Sequence, residues 1–187
     1  MSAVLAPNVV NGLDLDALDT VVAGIMDDPS KALVRFTVAT RWTGQTGSRS
    51  TVTGYELAGE RIARHFEIAA DEPFEILGRN TAPNPQELLM SAVNACMTVG
   101  YVAGAALRGI TLDRLEIETT GELDLRGFLG LDDGVPPGYE AIDYVVRVAG
   151  NGTPEQFEEI HRTVIKTSPN YFNLARPIRL NGKLSLG

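Results

Sequence analysis

The stretch Pro85-Gln-Glu-Leu-Leu-Met-Ser-Ala-Val-Asn-Ala-Cys-Met-Thr-Val-Gly-Tyr-Val-Ala-Gly-Ala-Ala-Leu107 decides the fold. From Leu88 to Leu107 it carries no charge for 20 residues, which is formally long enough to span a bilayer. Its pattern argues against that use. On a helix advancing about 100° per residue, Glu87, Ser91, Asn94, Thr98 and Tyr101 form one stripe, while Leu89, Ala92, Cys96, Val99, Ala103 and Leu107 form another. A polar stripe suits the core helix of a soluble domain, and a membrane is not an expected partner. The ends are marked as well. Asn84-Pro85-Gln86-Glu87 offers an N-cap, a proline at the first helical position and a capping acid, and Gly109 closes the last turn. The predicted helix runs from Pro85 to Arg108. Gly100 and Gly104, four apart near the Cys96 face, leave room for another backbone to approach, and they suggest a dimer contact.

Working outward, Val34 to Trp42, Thr51 to Leu57 and Ile62 to Ala69 alternate partly, with breaks at Gly44, Gly47 and Gly59, and predict an antiparallel meander. Leu112 to Leu125 and Ala141 to Val148 predict a second strand pair, separated by an exposed, mobile loop over Gly127 to Gly138. Thr153-Pro-Glu-Gln156 is a capping box ahead of Phe157, Ile160, Val164 and Ile165 at helical spacing. Continuing that face by four residues places Ser168 toward the helix that carries Cys96. Ile178 to Leu186 reads as a last strand. Upstream, Leu15, Leu18, Val21, Val22 and Ile25 predict a short amphipathic helix. The expected division is an N-terminal helical appendage over 1–33 and one domain over 34–187, with an α+β order of strands, helix, strands, helix, strand.

Composition narrows the function classes. The 187 residues, 44% of them hydrophobic, suffice for one globular core. A net charge of -8 repels nucleic-acid backbones and anionic membrane surfaces, so neither is an expected partner. One Cys and two scattered His give no metal-ligand spacing, and no glycine-rich loop sits between a strand and a helix; no metal and no cofactor are expected. The lone Cys and the opening Met1-Ser-Ala-Val-Leu-Ala-Pro7, which lacks a signal-peptide pattern, point to the cytoplasm.

Pro85-Gln-Glu-Leu-Leu89 followed by Ala92, Ala95 and Cys96 resembles the motif of the OsmC/Ohr family, in which a proline, an acid and two apolar residues precede a peroxide-reactive Cys on a central helix. Gly109-Ile110, the strand Leu115-Glu-Ile-Glu118 and a helix ending in Ser168-Pro169 follow in the family's order. Trp42-Thr-Gly44 with Arg49 is similar to its hairpin and arginine. The resemblance implies an OsmC-like fold of antiparallel sheets wrapped around long central helices in an intertwined homodimer. It also implies thiol-dependent reduction of small hydroperoxides in oxidative-stress defence. A thiolate attacks the peroxide oxygen and becomes a sulfenic acid, and a cation stabilises the negative charge. The implied catalytic residues are Cys96, Arg49 (with Arg41 in reserve) and Glu87, and the implied substrate-binding residues are Gln86, Ser168 and Tyr171.

Two departures qualify that assignment. The family's acid follows the proline directly, where this chain has Gln86, and Glu87 falls on the helix face away from Cys96, a geometry that favours a capping role for it. The family's second cysteine precedes a proline at the end of the later helix, where this chain has Ser168. With one cysteine in the chain, turnover requires an external thiol reductant. Cys96 also reads as an inert, buried apolar residue, Arg49 as a solvated hairpin charge, and Tyr171 as core. The alternatives are a non-catalytic dimer that binds a small apolar ligand in its interface cavity, and an acyl-transfer enzyme pairing Cys96 with His65 or His161.

Overall fold

The computed structural model describes residues 8–187, so the leader-free reading of residues 1–7 and the start of the 1–33 appendage lie outside the described residues. The chain divides into two compact units, Met1–Ser91 and Ala92–Gly187.

The first unit opens with a small hairpin, β1 (Val9–Val10) and β2 (Leu13–Asp14), and the predicted amphipathic helix, α1 (Leu15–Asp27). Asp14 caps α1 by accepting the Ala17 N–H. The meander follows as β3 (Val34–Phe36), β4 (Ala39–Gly44), β5 (Gly47–Leu57) and β6 (Glu60–Ala70). The single strand expected over Val34 to Trp42 is two strands, because Thr37 and Val38 leave the ladder. Both lie along one edge of the long β5, with Phe36 opposite Tyr55 and Thr40 opposite Ser50, while β6 takes the other edge. Ala58 and Gly59 turn the chain from β5 to β6 with φ of 52° and 82°. Two positive φ values are what a tight hairpin matching the strands' twist requires.

α2 (Pro85–Ala106) starts in the first unit and runs on through the second. It ends two residues before the predicted Arg108: the chain leaves the helix in a closing turn in which Gly109 has φ 66° and the Ile110 N–H reaches the Ala105 carbonyl. β7 (Leu112–Gly121) and β8 (Ile142–Gly150) pair antiparallel, with Ile117 opposite Val146 and Thr119 opposite Tyr144. β7 stops four residues short of the predicted Leu125. There the connection forms a one-turn helix, α3 (Leu125–Phe128), capped by Asp124. Gly127 lies close against the Pro136 carbonyl, where a Cβ would come within 2.2 Å, so the stretch expected to be a mobile loop is folded back on itself. α4 (Pro154–Thr167) carries the full Thr153/Gln156 capping box, and α5 (Pro169–Ala175) follows one residue later.

The core lies in the second unit. Val93, Met97, Tyr101, Ala105, Ile110, Ile160 and Val164 are buried together, with Leu115, Ile117, Tyr144 and Val146 of the strand pair and Phe157 of α4 packed against them. α2 and α4 run antiparallel in one register: Gly100 receives Val164, and four residues on Gly104 receives Ile160, four residues back, with Cβ positions 3.0 Å from the nearest methyl in both cases. This corrects the expectation for these glycines. The notch they cut is filled by the chain's own α4, so it does not mark a dimer contact.

The stripes of α2 are also used differently from the simplest reading. The later part of its polar stripe faces protein, while Glu87 and Ser91 are exposed: Asn94 donates to the Ile117 carbonyl and accepts from Thr119, and Tyr101 is 2% exposed. The other stripe leaves Val99 and Leu107 exposed. One described helix, α2, is long and apolar enough to cross a membrane by composition; its hydrogen-bonded stripe and its packing on α4 are those of a core helix. The last expected strand does not form. Residues 176–187 join no described strand. Their alternating Ile178, Leu180, Leu184 and Leu186 are exposed, because alternation alone makes no strand without a hydrogen-bonding neighbour.

Candidate functional site

The α2/α4 register that seats Val164 in the Gly100 notch continues one step further to Cys96 and Ser168. There the Ser168 hydroxyl donates to the Cys96 sulfur at 3.3 Å. Ser168 is 5% exposed and Cys96 is half-buried. Ser168 ends α4 and caps α5, its oxygen accepting the Tyr171 N–H at 3.4 Å. Asn170, at the start of α5, donates to the Ala92 carbonyl one turn before Cys96. The sulfur thus lies where two helix ends meet α2, with a hydroxyl donor against it. Tyr171 sits beside this contact through its backbone, and its ring meets Tyr144 edge-on at 6.3 Å.

The remaining expected residues belong to the first unit. Arg49, on β5, pairs with Glu67 of β6 at 2.7 Å, and Arg41 lies directly across the ladder from it. The Arg49 guanidinium, by hydrogen bond and charge, holds the Glu67 carboxyl below the usual carboxylate range. Glu87 accepts the Asn84 N–H while Asn84 accepts the Glu87 N–H, both at 2.8 Å, which is the reciprocal cap of α2. Gln86 occupies the first turn of α2. Arg49 and Glu87 therefore each have a partner other than the other.

Two clusters escaped the sequence reading. In the first unit Asp71, 1% exposed, accepts from the Thr46 and Thr81 hydroxyls and from the Glu72 and Arg79 N–H groups, with the Arg79 guanidinium at 3.7 Å. The threonine hydroxyls hold its carboxyl far below the usual range. The adjacent Glu72 has a buried carboxylate oxygen without a partner among the described residues, and burial, then the Asp71 and Glu87 charges, push its carboxyl up. No spacing in Ala70-Asp-Glu-Pro73 signals this network, because its donors come from distant turns. In the second unit Tyr101 on α2 hydrogen-bonds through its hydroxyl to Nδ1 of His161 on α4. His161 four residues after Phe157, on the buried face, was the available sign. This pairing also gives His161 a partner other than Cys96. A separate cleft of about 710 Å³ at the far end of the β7–β8 pair is lined by Glu122, Asp124, Glu140 and Asp143 and holds none of these residues.

An α+β chain whose long helix carries a half-buried cysteine against the end of a second helix has the architecture of OsmC-like proteins. Residues 78–182 match the sequence model of the OsmC-like protein family, and the chain belongs to it. The match begins at residue 78, so the hairpin bearing Trp42 and Arg49 lies outside it. Among solved structures, an OsmC-like protein from Mycoplasma pneumoniae aligns with a TM-score of 0.59 at 16% identity, covering 75% of this chain and 87% of that one. A proposed osmotic-stress and detoxification response protein from Psychrobacter arcticus aligns with a TM-score of 0.56 at 16% identity, covering 72% and 85%. An OsmC-like protein of unknown function from Vibrio cholerae aligns at 0.50 and 13% identity, covering 73% and 91%. These likenesses are of fold. No curated protein sequence matches the chain.

Proposed function

We propose that this protein is a one-cysteine, thiol-dependent hydroperoxide reductase of the OsmC/Ohr type, acting in the cytoplasm as a homodimer in peroxide detoxification. The observation that carries the reading is the 3.3 Å contact between the Ser168 hydroxyl and the Cys96 sulfur. It gives the sole thiol a charge-stabilising donor at the position where a resolving sulfur is missing. The reading also draws on family membership and on the detoxification role proposed for the Psychrobacter relative. Residues 34–187 form the catalytic domain, and residues 1–33 are an appendage to it.

The Cys96 thiolate attacks one peroxide oxygen; an S–O bond forms as the O–O bond breaks, and the leaving alkoxide takes a proton to become the alcohol. Cys96 is oxidised to sulfenic acid and the peroxide is reduced. An external thiol then displaces water to give a mixed disulfide, and a second thiol releases Cys96 as an external disulfide forms. Arg49 and Glu87 complete the catalytic set, and Gln86, Ser168 and Tyr171 line the substrate's approach. The homodimer is further supported by the apolar side chains that the first unit leaves exposed.

Brief exposure to an organic hydroperoxide followed by intact-mass measurement tests the reading. Cys96 should gain one oxygen faster than free cysteine is oxidised, and an added small thiol should restore it. Protein left unmodified at a dose that oxidises free cysteine overturns the proposal in favour of a non-catalytic, ligand-binding dimer.

A further inference from the structure

Two turns along the α2/α4 seam from Cys96, the second unit opens a cleft of about 680 Å³ between α4 and β8, a size usual for small-molecule sites. Its walls are apolar and aromatic. Phe157 and His161, four apart on α4, share one face, and Tyr144 faces them from β8, its ring 6.2 Å from the His161 ring. Tyr101 stacks on His161 from within, at 6.1 Å.

The polar groups in this cleft are few and specific. Burial pushes the Tyr101 phenol up to about 12, with Tyr144 adding to the effect, so its proton stays in place across the neutral range. In the arrangement where the phenol donates and Nδ1 of His161 accepts, the ring N–H lies at Nε2. Among the described residues no protein acceptor meets Nε2. Beside it Arg162 is held, among the described residues, by Glu158 alone, at 3.9 Å, with both side chains largely exposed. An exposed pair that long is weak, and another carboxylate can displace Glu158 from the guanidinium. The cleft thus offers flat apolar walls, one unmatched N–H and one loosely held cation.

We propose that this cleft binds a small aromatic carboxylate of one or two rings, its ring system between Tyr144 and Phe157 and its carboxylate on His161 Nε2 and Arg162. The site is separate from the Cys96 contact and does not depend on whether that thiol turns over.

Calorimetric titration with naphthoate, against the neutral naphthalenemethanol, tests it. Naphthoate should bind at one site per chain, at least about tenfold more tightly than the alcohol, since a hydrogen bond to a charged group carries that much. Arg162→Ala and His161→Gln should each weaken naphthoate about tenfold. The glutamine keeps a carbonyl for the Tyr101 hydroxyl, and Arg162 is exposed, so its replacement leaves the fold intact even if the His161 variant does not fold. The proposal is overturned if wild-type protein takes up no naphthoate, if the alcohol binds equally well, or if Arg162→Ala binds naphthoate as tightly as wild type.

Discussion

The two units are stabilised in unlike ways. The second buries seven hydrophobic side chains in one cluster, with two helices interlocked through glycine notches. The first, among its described residues, buries no hydrophobic side chain; its sheet leaves Trp42 74% and Phe36 64% exposed, together with Val38 and Phe66, and its one deeply buried side chain is the carboxylate of Asp71. A sheet with an apolar face requires a second surface to cover it. The difference teaches that the cysteine-bearing half has a core of its own, while the hairpin half draws its order from backbone ladders and a polar knot. In the proposed homodimer, a second copy supplies the missing cover.

The largest effect should come from attacking the self-sufficient half. Ile160→Ala empties the Gly104 notch and should cost about 2–5 kcal/mol in urea unfolding. A loss below that range would mean that the seam collapses onto the void. The hairpin half makes the complementary prediction: if a partner covers it, the unfolding midpoint must rise with protein concentration, by about 1.4 kcal/mol of stability per tenfold. A midpoint independent of concentration would remove the second copy from the comparison. A comparable kinetic effect is expected at the edge of the seam, beside the stability that α5 loses with its Ser168 cap. Ser168→Ala should slow sulfenic acid formation at Cys96 about tenfold by removing one hydrogen bond to a charged sulfur. Rapid-quench alkylation after a peroxide pulse measures it.

The smallest effect is a change of slope with pH. The Asp71 carboxyl is depressed in the folded chain. Its contribution is therefore present above the unfolded value of about 3.9 and is lost as pH falls through the folded value. Glu72, raised by burial, acts in the opposite sense: it is neutral at no cost at low pH and opposes folding once pH climbs through its folded value. Asp71→Asn should flatten the acid limb of stability below about pH 4, measured as urea midpoints across that range. An acid limb unchanged in the variant would show that the knot does not hold the hairpin half.

Much of this was legible in the chain. Pro85 to Gly109 announced its helix through cap, stripe and closing glycine, and Thr153 to Gln156 announced the next; the register that follows from Phe157, Ile160 and Val164 reaches Ser168 and hence the sulfur. These signals are local, and local physics decides them. The strand expected at Ile178 to Leu186 failed because a strand is a property of two segments, and a sequence states only one. Gly100 and Gly104 were read correctly as notches but could not say whose side chains fill them. The Asp71 knot was illegible because Thr46 and Thr81 reach the acid from opposite sides in sequence, with no periodicity linking them. Arg49 and Glu87 show a further limit: a charged residue in the sequence does not disclose the partner it finds, here Glu67 and Asn84.

Ser168 closes α4, opens α5 and touches the only thiol in the chain. One oxygen atom thereby links the chemistry of a side chain to the exchange of a backbone amide. An oxygen added to Cys96 would offer the Ser168 hydroxyl a second acceptor, and a turn of that hydroxyl would change the protection of the Tyr171 N–H that it accepts. The amide is a spectator that carries no thiol and consumes no reagent. Its hydrogen-exchange rate is therefore expected to follow the oxidation state of Cys96 from three residues beyond Ser168.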